Sequence, residues 1–125
     1  MPRRFECPIS HYRGQGVFIE LPDRWLGSHL MAYQDAGEKL KAIEKPLPSI
    51  LSNLVRHAVL LHDWSLPGLN GNPDKWDLSK VDLEIVMWVN TLVSDDFAKV
   101  FSVPKNSPPP SQNGQAADGE TVTSP

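Results

Sequence analysis

One stretch limits the folds open to this chain more than any other: residues 82–101, D-L-E-I-V-M-W-V-N-T-L-V-S-D-D-F-A-K-V-F. Ile85, Trp88, Val89, Leu92, Val93, Phe97, Val100 and Phe101 recur at spacings of three and four, which puts them on one face of a 3.6-residue period. Asp82 stands where a carboxylate can accept from the free N–H groups of the first turn, and Glu84 adds negative charge at the positive end of the helix dipole. Pro104 has no N–H to donate and disfavours helical backbone at Val103, so the helix is expected to end by Ser102. Asn90, Ser94 and Lys99 fall on the outward side. A lone helix of this length is marginal in water, so its apolar face demands a partner surface. Burying that face is worth about 1.5–3 kcal/mol for each large side chain.

Two further helices supply such a surface. Residues 28–44 keep a rough helical period through Leu30, Tyr33, Leu40 and Ile43, with Trp25 and Leu26 leading in and Asp23 placed as a cap. Gly27 and Gly37 each weaken this helix by about 1 kcal/mol relative to alanine. Its charged residues, Glu38, Lys39, Lys41, Glu44 and Lys45, make an ordinary solvated face. Pro46 and Pro48 then interrupt the chain. From Ser49 to about Asp63 a wide apolar stripe follows: Ile50, Leu51, Leu54, Val55, Ala58 and Val59, widened by Leu60 and Leu61. This is the most apolar element and the expected centre of the core.

Before the helices, Phe5, Cys7 and Ile9 alternate, and Val17, Phe18, Ile19 and Leu21 form a β-prone run. The G-Q-G at 14–16 between them reads as a turn, because glycine tolerates positive φ. Residues 4–9 and 17–21 are therefore expected to form a small hairpin. A GxG by itself is weak evidence for a phosphate loop. The predicted fold class is mainly α: about three helices and a short N-terminal hairpin in one domain, residues 1–103, followed by a tail, 104–125. The tail is rich in proline and polar residues, holds no aromatic residue, and cannot bury enough apolar surface to order itself. Its P-P-P at 108–110 is only a minimal polyproline segment.

Between the last two helices lies a loop, W-S-L-P-G-L-N-G-N-P at 64–73, dense in turn residues but studded with Trp64, Leu66 and Leu69. Such a loop is either pinned onto the core or presents apolar surface to a partner. Trp76 and Leu78 flank a turn capped by Asp77. Trp64, Leu66, Leu69 and Trp76 are the candidate partner-binding residues.

Composition narrows the functional classes. Fifteen acidic against twelve basic residues leave a net charge of −3, with no basic stripe, which argues against nucleic-acid binding. The Arg3 and Arg4 pair is too short for a basic arm. Cys7 is the single cysteine, so neither a disulfide framework nor a cysteine-based zinc site is available. No apolar run approaches eighteen residues and no signal-peptide core opens the chain, so a soluble intracellular protein without membrane attachment is expected. His57 and His62 are five apart, a poor spacing for chelation on a helix. His62 beside Asp63 resembles a general-base pair, and His11 and His29 stand apart from both. All four read most simply as ordinary polar residues. No serine elbow, P-loop or CxxC is present. No catalytic, cofactor or metal residue is assigned, and the chain is not expected to be an enzyme.

A set of small motifs in a fixed order resembles the siphophage tail assembly chaperones. They are F-x-x-P-I at 5–9, the glycine turn, E-L-P-D-R-W at 20–25, W-S-L-P-G-L-N-G-N-P at 64–73, D-D-F-A-K-V-F at 95–101 and V-P-K-N-S at 103–107. The resemblance covers most of residues 5–107. It implies a non-enzymatic holdase that binds the tape-measure protein and recruits tail-tube subunits, acts in the host cytoplasm and is absent from the mature virion. Such families often make a longer product by programmed frameshifting. Pro104-Lys105-Asn106 permits a slippery A-AAA-AAC run, and Pro108-Pro109-Pro110 a run of cytosines. A homo-oligomer is left open. Two other classes stay in view: a tail or connector protein retained in the particle, and a small regulator or enzyme.

Overall fold

The fold is given by a computed structural model that describes residues 1–101. In chain order it contains β1 (Arg3–Glu6), β2 (Phe18–Leu21), α1 (Gly27–Lys41), α2 (Ser49–Ala58), β3 (Asp63–Ser65) and α3 (Leu83–Ala98), with single 3-10 turns at 10–12, 73–75, 78–80 and 99–101. This is the expected mainly helical architecture with a short N-terminal sheet. The expectations for 104–125, including the helix stop at Pro104, lie outside the described residues.

The hairpin forms with shorter strands than expected, Arg3–Glu6 for 4–9 and Phe18–Leu21 for 17–21. Arg3 pairs with Leu21 and Phe5 with Ile19 in antiparallel register, and the Cys7 N–H extends the ladder to the Val17 carbonyl at 2.9 Å. Gly16 takes φ +73°, a conformation other residues rarely adopt, at the end of the connection. The sheet is larger than expected, because β3 adds a third strand on the far edge of β2, with Ile19 opposite Trp64. The helix expected over 49–63 therefore stops at Ala58. Leu60 and Leu61 donate to the carbonyls of His57 and Ala58, so the chain tightens and leaves the helix. The His62 N–H then reaches the Glu20 carbonyl at 2.8 Å and docks the strand on β2. Leu60 stays buried although it is no longer helical, so the apolar stripe outruns the helix.

The core lies between one face of the sheet, α2 and α3. Ile19 and Leu21 from the central strand, Leu54 from α2, and Ile85, Val86, Val89 and Val93 from α3 are fully buried together. Trp88, Leu92 and Phe97 flank this face half-buried, whereas Val100 and Phe101 are exposed, because the helix gives way to a 3-10 turn after Ala98. Asp82 caps α3 as anticipated: its carboxylate accepts from the Glu84 N–H at 2.9 Å and from the Tyr12 hydroxyl at 2.6 Å. Asn90 corrects the sequence reading. It is half-buried and engaged: its amide N–H donates to the Ile50 carbonyl at 3.0 Å and its oxygen lies 2.9 Å from His57 Nδ1.

The lead-in to α1 is tied down by one carboxylate. Asp96 accepts both terminal nitrogens of Arg3, at 2.9 and 3.0 Å, and the Trp25 indole N–H at 2.9 Å. Burial pushes the Asp96 carboxyl up, but the bonds from Arg3 and Trp25 and the Arg3 charge outweigh this and hold it below its ordinary range. Trp25 and Tyr33 also meet the Phe97 ring. Asp23 is not the cap of α1. The Leu26 N–H instead donates to His29 Nδ1 at 2.9 Å.

Candidate functional site: a groove beside the first helix

Three of the four candidate partner-binding residues belong to the interior of the loop and its seat. Leu66 and Leu69 are 4% and 1% exposed. Of the two readings of this loop, their burial fits the one in which it is pinned onto the core. The cause is visible in Trp64, whose indole N–H donates to the Leu69 carbonyl at 2.7 Å and folds 64–69 back over the core. Trp64 itself is half-buried and meets Trp76 edge-on, with centroids 5.6 Å apart. The pinned-loop alternative is thus the one realised.

Trp76, the fourth, lines a groove. A groove of about 780 Å³ runs between α1, α2 and the segment 72–79. Ala36 and Leu40 of α1 form one wall, Val55 and Val59 of α2 another, and Trp76 and Leu78 the third. Asp35, Lys39, Asp74 and Asp77 are the titratable groups around it. Lys39 is engaged by Asp35 at 3.4 Å. Asp77 accepts both the N–H and the hydroxyl of Ser79, which hold its carboxyl below the ordinary range. The indole N–H of Trp76 is buried and has no acceptor among the described residues. An unpaired buried donor costs about 1–3 kcal/mol.

The groove exists because α1 is thinly attached. Of its fifteen residues only Ala36 is buried. Leu26 is 55% and Met31 71% exposed, and Leu30 and Ile43 are also open to solvent. A second hollow, lined mainly by polar side chains that include Gln34, Glu38, Asn53 and Arg56, opens on the other flank of α1. What holds α1 to α2 is a cluster of rings and one guanidinium. Arg56 Cζ sits 3.9 Å from the centre of the Tyr33 ring, and its Nε donates to the Tyr33 carbonyl at 3.4 Å. Gly37 permits this crossing, since a Cβ there would lie 2.9 Å from Arg56 Cζ.

His57 completes the cluster. It is 6% exposed and stacks on Tyr33 at 6.0 Å. Because the Asn90 amide N–H is committed to the Ile50 carbonyl, its oxygen faces the imidazole, so Nδ1 of neutral His57 carries the proton and donates. Burial pushes the imidazole down; the Asn90 bond acts against this and the Arg56 charge with it. His57 is a structural core histidine. His62 and Asp63 are both exposed, and the Asp63 carboxylate accepts its neighbour's backbone N–H at 2.8 Å. Among the described residues no three His, Cys, Asp or Glu side chains gather as a metal site would require, and no helix is long and apolar enough to cross a membrane.

Apart from Trp76, the groove walls are not singled out by the sequence. The signal that could have found them is the width of the α2 stripe. Leu54 faces the core, whereas Val55, itself buried, and the exposed Val59 carry the stripe round to the groove. Comparison of the chain with protein-family models, with curated proteins and with solved structures found no match.

Proposed function

We propose that the chain is a phage tail assembly chaperone of the siphophage type. It holds an apolar segment of the tape-measure protein and helps to recruit tail-tube subunits before the tube polymerises. The ordered motifs between residues 5 and 107 support this reading. The structural observation that carries it is α1: a helix with one buried residue, flanked by an apolar groove, offers a holdase the open surface it needs. The holding surface is assigned to this groove and not to Leu66 and Leu69.

The test is co-expression with the candidate tape-measure protein from the same genome. The chaperone should raise that partner's soluble yield. Leu40→Asp combined with Val59→Asp places charge on two groove walls and should abolish the effect with the circular dichroism spectrum unchanged. Leu66→Asp with Leu69→Asp cannot serve, because both changes bury a charge in the core. An unchanged yield with the wild-type chain, or recovery of the chain as a stoichiometric part of purified particles, would overturn the reading.

A further inference from the structure

We infer that two copies of this chain pair through the free edge of β1, antiparallel about a two-fold axis at Phe5, and join their sheets into one. This pairing is separate from the groove and from the holding role proposed above. β1 ends the strand order β1-β2-β3, so among the described residues its second edge carries no strand. The ladder fixes which backbone groups are spent. The Cys7 N–H donates to the Val17 carbonyl, and Phe5 and Arg3 stand opposite Ile19 and Leu21 in the same alternation, so residues 3, 5 and 7 bond to β2. The N–H and C=O groups of Arg4 and Glu6 therefore point off the sheet, and unpaired groups along an edge are a template for another strand.

The sequence around them, P-R-R-F-E-C-P at 2–8, fits a second copy of itself. With the axis at Phe5, Arg4 of each copy lies opposite Glu6 of the other. Each such pair exchanges both backbone bonds and sets opposite charges across the seam. The two side chains are 51% and 66% exposed on the solvent face, where Arg4 also covers Phe18 and holds Glu20 at 3.1 Å. On the other face the half-buried Phe5 side chains of the two copies meet as an aromatic pair. A shift by two residues is the smallest that keeps outward groups opposite each other. It sets Arg4 against Arg4 or Glu6 against Glu6, and it leaves the remaining residue opposite Pro2 or Pro8, which has no N–H to give. Charges and prolines at an edge block most pairings, and here they leave one. β1 has four residues, so the seam is small and the dimer reversible.

Sedimentation velocity of the full-length chain should show a monomer at about 1 µM and a growing dimer fraction by about 100 µM. Amide hydrogen exchange over the same range, read by mass spectrometry with single-residue fragmentation, locates the contact. The Arg4 and Glu6 amides should exchange freely in the dilute chain and slow when it is concentrated, while the Cys7 amide stays protected throughout. Glu6→Pro deletes one outward N–H without touching the ladder to β2 and should weaken the dimer at least about tenfold. Arg4→Glu and Glu6→Arg should each be monomeric, because each sets like charges across the seam. An equal mixture of the two should dimerise, because the reversed charges then face one another. Arg4→Glu also faces Glu20 in its own chain; if it fails to fold, Glu6→Pro and Glu6→Arg decide. A chain that stays monomeric at about 100 µM overturns the inference. So does a dimer that survives Glu6→Pro, or a mixture of the folded charge variants that stays monomeric. Slow exchange at Arg4 and Glu6 in the dilute monomer would mean that the chain's own residues 102–125 cover the edge, and that also overturns it.

Discussion

α1 and α3 are nearly the same length, fifteen and sixteen residues, yet they are held by different means. α3 has a side-chain cap from Asp82 and four buried aliphatic residues facing the sheet and α2. α1 has a histidine in place of a conventional cap, two glycines, and one buried alanine. Apolar packing in α3 is continuous along the helix. In α1 the attachment is concentrated at a few points: Trp25 on Asp96, Tyr33 on Phe97 and His57, and Gly37 under Arg56. A helix held at points leaves space between them, and the groove occupies that space. The stability of this chain therefore resides in the sheet with α2 and α3, and its open groove lies beside α1.

The sharpest way to break this contrast is to truncate one side chain in each region. Leu54→Ala removes a fully buried side chain at the centre of the core and should cost about 2–5 kcal/mol in chemical denaturation. Leu40→Ala, on the groove wall, should cost less than about 1 kcal/mol, the scale of a change outside the core. Equal losses would mean that α1 is part of the core after all.

Next in size is the anchor. Asp96→Ala leaves the Arg3 guanidinium and the Trp25 indole without their shared acceptor and should cost about 1–3 kcal/mol. Because the carboxyl is held below its ordinary range in the folded state, the unfolded chain takes up the proton first as the medium is acidified. The Asp96 contribution is therefore present above about pH 4 and lost as the pH falls through the folded-state value. Measured at pH 7 and at pH 3, the wild type and Asp96→Ala should differ less at the lower pH.

A smaller effect is expected at His57. Its imidazole is pushed down in the folded state, so its contribution is fully present above about pH 6.5, where the unfolded imidazole is also neutral, and falls as the pH drops towards the folded-state value. Denaturation at pH 7.5 and pH 5.5 should show a loss in the wild type that shrinks in His57→Gln, which keeps an amide donor for Asn90. An unchanged loss would place the titrating group elsewhere. The smallest effect belongs to Met31→Ser on the outer face of α1, which should stay within about 0.5 kcal/mol of the wild type.

The same contrast explains what was legible in the sequence. α3 was readable because its cap at Asp82 and its period are local properties of a continuous segment. The β1–β2 hairpin was readable from its glycine turn and its two apolar runs. β3 was not: Asp63–Ser65 is a three-residue strand whose pairing is supplied by β2, more than forty positions away in the chain, and the stripe ending in the buried Leu60 masked the exit from α2. Asn90 was placed outward by its period, but a helix crossing overrides period, and the Ile50 carbonyl lies within its reach. Of the residues proposed for partner binding, only Trp76 lines the groove, because the groove is a relation between α1, α2 and a loop that no single segment encodes.

The central claim is that α1 is secured separately from the core, and native-state hydrogen exchange tests it most directly. The amides from Tyr33 to Lys41 in α1 should exchange through an opening whose free energy lies well below that of Val89 to Val93 in α3, with weak dependence on added denaturant. The α3 amides should exchange only by global unfolding. If the two helices share one opening free energy and one denaturant dependence, α1 is part of a single cooperative unit and the account is wrong.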